Sequence, residues 1–231
     1  MSYKKTPASH YPPPREKRPA QSMLGRRRPA GQPSRVEGFK ASGEPKARSN
    51  VYVPYYSSEF KDIVQFIQTE LRRKVYLIGI RAMFERGVPL WRFTDDFDVY
   101  TPLTEEERDR IIDFARGKYE GAKHVWSRFG FSLDFDPIGH VDVNIVPPTV
   151  QDETWDRDAV KINGVQVFLP PLEDILVMKL LSPRRKDLKD AGVALRLGRE
   201  KVNFERLKAR AEKAGVAKKL LKVAQRYGVE L

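Results

Sequence analysis

The spacing of apolar residues predicts an alternation of helices and strands from about residue 50 onward. From Ser58 to about Leu71, apolar residues recur every three or four positions, which is typical of one helical face, and Ser58 is a suitable N-cap. Residues 75–78 and 97–100 are short apolar runs rich in β-forming residues. They predict two buried strands, separated by a tight turn at Gly79 and a short helix.

The later part of the chain continues this alternation. Thr104 and Glu107 have the spacing of a capping box for a helix to about residue 116. Residues 131–135 and 140–146 alternate around a turn sequence at 136–139, and Asn163-Gly164 separates two further β-prone runs, so two hairpins are predicted. An apolar helix is predicted after Pro171, and a second helix, which carries many charged residues, is predicted after Ser182. Two more helical patterns lie beyond residue 203. The predicted class is α+β, a mixed sheet flanked by helices with a helical C-terminal region.

Two carboxylates stand out at the start of the second predicted strand. Asp96 and Asp98 are two residues apart, so on a strand they project from the same face while Phe97 and Val99 enter the core. Carboxylates on one face repel each other unless a cation lies between them. The pair suits Mg2+ (or Mn2+), which takes one or two carboxylates and completes its shell with water and phosphate oxygens. By itself such a pair is more often a solvated loop feature.

The residues around the pair add specificity. Residues 92–98 contain Arg92, Thr94, Asp96, Phe97 and Asp98 in the pattern Arg-x-Thr-x-Asp-hydrophobic-Asp. Together with the preceding strand and glycine turn, this resembles the nucleotidyltransferase superfamily, which has the DNA polymerase beta-like fold. The resemblance implies a nucleotidyltransferase-type sheet, an NTP substrate, metal ligation by Asp96 and Asp98, and phosphate contacts from Arg92 and Thr94.

The glycine turn matches that family only in part. Gly79 occupies the position of the family's first glycine, but Ile80 stands where a second small residue normally lets backbone amides approach the triphosphate. A β-branched residue is expected to crowd that approach. Either Arg81 supplies a charged phosphate contact instead, or nucleotide binding is weakened.

A third carboxylate is expected from the hairpin at residues 131–146. Asp142 alternates with Val141 and Val143, and the resemblance implies that such a carboxylate binds a second metal ion or receives the proton of the attacking hydroxyl. Asp134 alternates with core residues in the same way and is the competing candidate. A merely outward-facing residue on a half-exposed strand is the alternative for Asp142.

A lysine lies within the apolar helix that follows Pro171. A buried charge such as that of Lys179 needs a partner, either a phosphate or an acidic cluster, unless the side chain reaches the surface. The segment from residue 169 to 190 resembles the C-terminal signature of abortive-infection-type nucleotidyltransferases, which implies that Lys179 contacts nucleotide phosphates and that Asp187 lies at the edge of the site. The cations at 184–186 fit either a solvated helical face or an RNA-binding patch.

The first fifty residues differ in composition from the rest. They hold twelve Lys and Arg against three Glu, a net charge of +9 out of the chain's +12, and eight of its seventeen prolines. This composition predicts a disordered basic extension (1–50), followed by an α/β core (51–182) and a helical C-terminal region (183–231). RNA is the expected partner, including rRNA or tRNA, although a tail that only maintains solubility is the alternative. The predicted RNA-binding residues are Lys4, Lys5, Arg15, Lys17, Arg18, Arg26, Arg27 and Arg28.

Composition also excludes several classes of site. The chain has no cysteine, so disulfides, cysteine nucleophiles and thiolate metal sites are absent, and three scattered histidines predict no structural zinc site. No stretch has the roughly twenty apolar residues that a membrane span needs, so a cytoplasmic protein is expected. The low Asn and Gln content favours a thermophilic source.

Two hypotheses from different classes follow. One is an enzyme that transfers a nucleoside monophosphate from an NTP to a hydroxyl acceptor, with RNA favoured as the acceptor because of the basic extension. The other is a noncatalytic RNA-binding subunit of a ribosome or another ribonucleoprotein, which Ile80 and the extension favour. A toxin neutralised by an antitoxin partner follows from the family resemblance alone.

Overall fold

The computed structural model describes residues 57–89, 92, 94, 96–135 and 139–231. Within those residues, seven strands form one mixed sheet and seven α-helices flank it, which confirms the predicted α+β class. The strands are β1 (Tyr76–Leu77), β2 (Asp96–Tyr100), β3 (Lys123–Trp126), β4 (Gly130–Asp134), β5 (His140–Asn144), β6 (Ala159–Ile162) and β7 (Val165–Phe168). The helices are α1 (Ser58–Thr69), α2 (Gly79–Glu85), α3 (Glu105–Lys118), α4 (Leu172–Leu181), α5 (Arg185–Leu197), α6 (Phe204–Lys213) and α7 (Ala217–Arg226).

Strand order explains how polar residues from distant parts of the chain come together. The sheet has the order β3-β4-β5-β2-β1-β7-β6, with β2 parallel to β5 and β1 parallel to β7. Phe97 and Val99 of β2 and Val141 and Val143 of β5 are at most 1 % exposed. Because side chains alternate along a strand, the residues between them project from the opposite face of the sheet.

The apolar face of β2 is covered by α1. The rings of Phe60 and Phe97 stack with centroids 4.0 Å apart, and Phe66 of α1 stacks on Phe114 of α3 at 4.3 Å. Burying side chains of this size contributes about 1.5–3 kcal/mol each to folding. The aromatic contacts therefore fix β2, and with it the start of the Asp96–Asp98 segment, against a rigid helical layer.

Helix caps follow the sequence closely, with one shift. The Ser57 hydroxyl accepts a hydrogen bond from the Phe60 amide, so Ser57 rather than Ser58 is the N-cap, and α1 begins one position earlier than predicted. The predicted capping box of α3 is confirmed, since Thr104 and Glu107 each accept a hydrogen bond from the other's backbone amide.

The C-terminal helices are joined to α4 by buried polar contacts as well as by the core. The Asp174 carboxylate accepts hydrogen bonds from Trp155 Nε1 and from Arg206, both at 2.9 Å. Glu173 accepts one from the Asn203 amide at 2.7 Å, at the start of α6. Since the carboxylates are almost fully buried, these partners offset the cost of removing them from water.

One strand was not predicted, and some predictions concern residues that the structure does not describe. The sequence reasoning missed β3, which adds an outer strand to the hairpin of β4 and β5. The basic extension, with its predicted RNA-binding residues, and the turn residues 136–138 lie outside the described residues. None of the helices in the described part of the chain combines the length and apolar character that a membrane crossing requires.

Replacing Thr104 with alanine removes the hydroxyl of the capping box. The expected loss is about 1 kcal/mol of unfolding free energy, because the Glu107 amide loses its acceptor. Chemical denaturation of Thr104→Ala and Thr104→Ser measures it. The serine variant keeps the hydroxyl, so an equal loss in both variants would contradict the capping role.

Candidate active site

The predicted carboxylates meet on one face of the sheet because of the β2–β5 register. Asp98 lies directly opposite Asp142, and Asp96 lies opposite His140. In the next pairing, Ser132 of β4 lies opposite Asp142 and Asp134 lies opposite His140. Residues paired in this way share a face, so both candidates for the third carboxylate are on the same side as Asp96 and Asp98.

Gly79 is required by the position of Asp98. The Gly79 backbone has φ +72°, and a Cβ atom at that position would lie 2.1 Å from Asp98 Oδ2. The Ile78 amide also donates a hydrogen bond to the Asp98 carbonyl at 2.9 Å. A side chain at residue 79 would therefore collide with the carboxylate, and the glycine is explained without reference to a phosphate.

His140 lies between the two candidate carboxylates. Its Nε2 atom is 3.0 Å from Asp142 Oδ1, and its Nδ1 atom contacts Asp134. The hydrogen bond with Asp142, reinforced by Asp134 and opposed by burial, raises the pKa of His140 to about 9. At neutral pH the ring is therefore a cation that donates a hydrogen bond to each carboxylate.

The carboxyl groups of Asp98 and Asp142 differ in acidity. Burial first, and then the charge of Asp142, raises the pKa of Asp98 to about 6, although Lys179 acts in the opposite direction. Burial also opposes the charge on Asp142, but hydrogen bonds from His140 and Ser132 outweigh it and keep its pKa below the usual value. Asp142 is therefore the stronger acid of the two, and positive charge near Asp98 would favour its ionised form.

A buried ion-pair cluster lies on the helical side of these carboxylates. Lys179 is 8 % exposed, and its Nζ atom lies 2.7 Å from Asp187 and 3.2 Å from Asp190. The predicted need for an acidic partner is thus met within the protein. Burial opposes ionisation of Asp187, but hydrogen bonds from Lys179, Ser182 and Arg184 outweigh it and lower the pKa of Asp187 to about 2.

The remaining motif residues orient this cluster and the start of β2. Arg92 binds Asp190 through two nitrogens, at 3.2 and 3.1 Å. The Thr94 hydroxyl accepts a hydrogen bond from the Asp96 amide at 3.3 Å. Arg92 and Lys179 therefore share Asp190, so that one carboxylate of α5 holds two of the cations predicted to contact phosphate.

The two residues that follow Gly79 are almost fully buried. Arg81 is 2 % exposed, and its guanidinium lies 4.7 Å from the centroid of the Phe97 ring, which is on the opposite face of β2 from Asp96 and Asp98. Its position gives no support to the predicted phosphate contact. Ile80 is also 2 % exposed, and the expectation that it crowds the approach of a phosphate stays a prediction.

The donor set fits one divalent cation better than two. Asp96 and Asp98 offer hard oxygen donors on one face, and a cation there would favour the ionised form of Asp98, whose pKa is raised by burial and by the charge of Asp142. Asp142, in contrast, accepts hydrogen bonds from His140 and Ser132. No group of three His, Asp or Glu side chains in the described residues has an arrangement that could hold a metal ion.

Sequence reasoning missed three members of this site. His140 alternates with Asp142 on its strand and Ser132 faces it from β4, so both are found once the hairpin register is known. Asp190 follows Asp187 by three positions, which places both on one face of α5. The helical spacing of these two aspartates was the available signal.

Comparison with known proteins gives a limited result. No family model matches the chain, and no curated protein matches it. Among solved structures, the antibiotic-resistance factor ANT(2'')-Ia in complex with adenylyl-2''-tobramycin is similar at 16% identity over 68% of this chain and 95% of that chain, with a TM-score of 0.47.

Two further solved structures are similar at comparable levels. They are an antigenic nucleotidyltransferase-like protein from Paracoccidioides brasiliensis (18% identity, 77% of this chain and 96% of that chain, TM-score 0.39) and the Megavirus polyadenylate synthase (17%, 64% and 33%, TM-score 0.41). These identities and TM-scores are too low for an inference about function, which has to come from the residues of the site.

Replacing Gly79 with alanine tests the close approach to Asp98. The new Cβ atom must displace the carboxylate in a strained backbone, so a loss of about 1–3 kcal/mol in unfolding free energy is expected. Gly117→Ala in α3 is the matched control, because a Cβ atom there meets nothing within 4 Å. It should stabilise the protein by about 0.5–1 kcal/mol. Equal effects of the two substitutions would contradict the steric role of Gly79.

Replacing Asp187 with asparagine tests the buried cluster through pH dependence. A folded-state pKa of about 2 means that ionised Asp187 stabilises the fold above its unfolded-state pKa, and that this contribution is lost as pH falls toward 2. At pH 7 the free energy of unfolding of the variant should be about 2 kcal/mol lower than that of the native chain. Denaturation at several pH values should show the difference from the native chain narrowing below about pH 4. A difference independent of pH would contradict this charge-based role.

Proposed function

We propose that this protein is a nucleotidyltransferase, which transfers a nucleoside monophosphate from an NTP to a hydroxyl acceptor with the help of Mg2+ or Mn2+. The observation that supports this most is the placement of Asp96, Asp98 and Asp142 on one sheet face, with Asp98 directly opposite Asp142. The pattern from Arg92 to Asp98, which resembles the nucleotidyltransferase superfamily, agrees with that placement.

In the proposed reaction, the acceptor oxygen attacks the α-phosphorus of the NTP. The new oxygen–phosphorus bond forms as the bond to the bridging oxygen breaks, pyrophosphate leaves, and Asp142 takes up the hydroxyl proton. A divalent cation held by Asp96 and Asp98 would supply positive charge against the phosphate oxygens. His140 positions Asp142, and Lys179 and Arg92 supply positive charge at the α5 side of the site.

The acceptor is proposed to be RNA. This part of the proposal comes from the basic composition of residues 1–50, whose cations can neutralise phosphates and whose aromatic residues can stack on bases. Positioning and charge neutralisation dominate phosphoryl chemistry of this kind, so a protein that holds the RNA end beside Asp142 would supply most of what the reaction needs.

A noncatalytic RNA-binding subunit is the second candidate, and specific contacts favour it. Lys179 and Arg92 are bound to the carboxylates of Asp187 and Asp190. Asp142 is bound to a cationic His140. In an enzyme these internal partners must yield to phosphate or metal, whereas in a structural subunit they would simply stabilise an inherited fold.

Transfer from labelled NTPs to total RNA and protein separates the two candidates. The native chain should label an acceptor in the presence of Mg2+ or Mn2+. In the double variant Asp96→Asn/Asp98→Asn the rate of label transfer should be at least about a hundredfold lower. Asp113→Asn, an exposed change on α3, is the control and should label normally. Absence of labelling with every NTP, together with sedimentation in a ribonucleoprotein particle, would favour the structural subunit.

A further inference from the structure

The outer edge of the sheet carries an exposed apolar patch that the carboxylate site does not explain. In β3 and the turn after it, Val125 is 57 % exposed, Trp126 is 49 % exposed and Phe129 is 53 % exposed. Large aromatic residues are rarely left in water at this density without a partner. β3 is also an outer strand of the sheet formed by the described residues, where one strand edge faces away from the other six strands.

Arginine and lysine side chains accompany these apolar residues. The Arg108 guanidinium lies 5.2 Å from the centroid of the Trp126 ring, and that of Arg128 lies 5.6 Å from the centroid of Phe129. Arg108 also pairs with Glu105 at 3.1 Å, while Arg128 and Lys123 are exposed. Aromatic rings interleaved with cations suit a polyanion whose bases have π faces, which is the chemistry of single-stranded nucleic acid.

The strand register connects this edge to the carboxylates. Val125 is paired with Ser132, Ser132 with Asp142, and Asp142 with Asp98, so the four residues form a row on one sheet face. Three interstrand spacings separate Val125 from Asp98, or about 14 Å. Trp126 is paired with the buried Phe131 and therefore lies on the opposite face, so a chain that stacks on Trp126 must pass around the outer edge of β3 to reach the face of Asp142. The span of about 14 Å from that edge is the length of a few nucleotides.

We infer that the edge formed by Val125, Trp126 and Phe129, with Lys123, Arg108 and Arg128, binds single-stranded RNA, which passes around β3 and across β4 toward Asp142. The direction of the RNA rests on the proposed function, but its binding at the edge does not. Lys123 and Arg128 are exposed, and their positive charge favours RNA over an apolar protein segment.

Tryptophan fluorescence of the full-length protein tests this binding directly. An oligouridylate of about twelve nucleotides is added without NTP, so that no transfer takes place. RNA should quench the tryptophan fluorescence of the native chain, because bases stack on Trp126. Trp126→Phe should remove this RNA-dependent quenching and leave only the response of the other two tryptophans. RNA that binds without quenching Trp126 would overturn the inference.

Affinity and its salt dependence give a second readout. Trp126→Ala/Phe129→Ala should weaken oligouridylate binding about tenfold or more, measured by fluorescence anisotropy of the labelled RNA. The salt dependence should stay the same, because neither substitution removes a charge. Leu221→Ala, which trims a 60 % exposed leucine on α7, is the matched control and should bind normally. Equal affinities of the double variant and the native chain would contradict the role of this edge.

The same variants distinguish other ligands and partners. Oligodeoxythymidylate that binds and quenches as well as oligouridylate would support recognition of single strands in general by the same stacking chemistry. If sedimentation shows a dimer of the native chain that Trp126→Ala/Phe129→Ala dissociates, the edge is a contact between copies and the inference is wrong. Transfer without any quenching of Trp126 would overturn the edge inference alone and leave the proposed enzyme intact.

Discussion

The chemistry of the candidate site depends on the electrostatic balance among the carboxylates that the β2–β5 register brings together. Asp98 and Asp142 lie opposite each other on adjacent parallel strands, with Asp96 two residues away on the same face. Like charges so close oppose each other's ionisation. His140 and Ser132 hold Asp142 as the anion, while burial first, and then the charge of Asp142, raises the pKa of Asp98 to about 6. This imbalance is what a divalent cation would relieve.

A second charge cluster ties the C-terminal helices to the same place. Lys179 from α4 is enclosed by Asp187 and Asp190 from α5, and Arg92 reaches Asp190 from the segment that precedes β2. Removing one partner from such a buried set leaves an uncompensated charge, which is more costly than losing the pair altogether. The cluster thus links the helical region to the carboxylate face. It also holds two cations close enough to the carboxylates of β2 to interact electrostatically with Asp96 and Asp98.

Local patterns were sufficient for most of the fold, while the site depended on longer-range pairing. The capping box at Thr104 and the alternating runs of β2 and β5 involve neighbouring residues only, so the sequence shows them directly. The exposed strand β3 was missed because three of its four residues face solvent and supply little apolar alternation. The role of His140 and the burial of Arg81 depend on which strands and helices meet, and a single sequence does not contain that information.

Anomalous diffraction from crystals grown with Mn2+ and a nonhydrolysable NTP analogue would test the central claim most directly. If Asp96 and Asp98 form a metal site that completes an active centre, a manganese peak should lie within coordination distance of both carboxylates. The analogue's phosphates should then contact the same ion, and Asp98→Asn should abolish the peak. A crystal with bound analogue but no manganese at these carboxylates would contradict the claim. A peak unchanged in Asp98→Asn would contradict it equally.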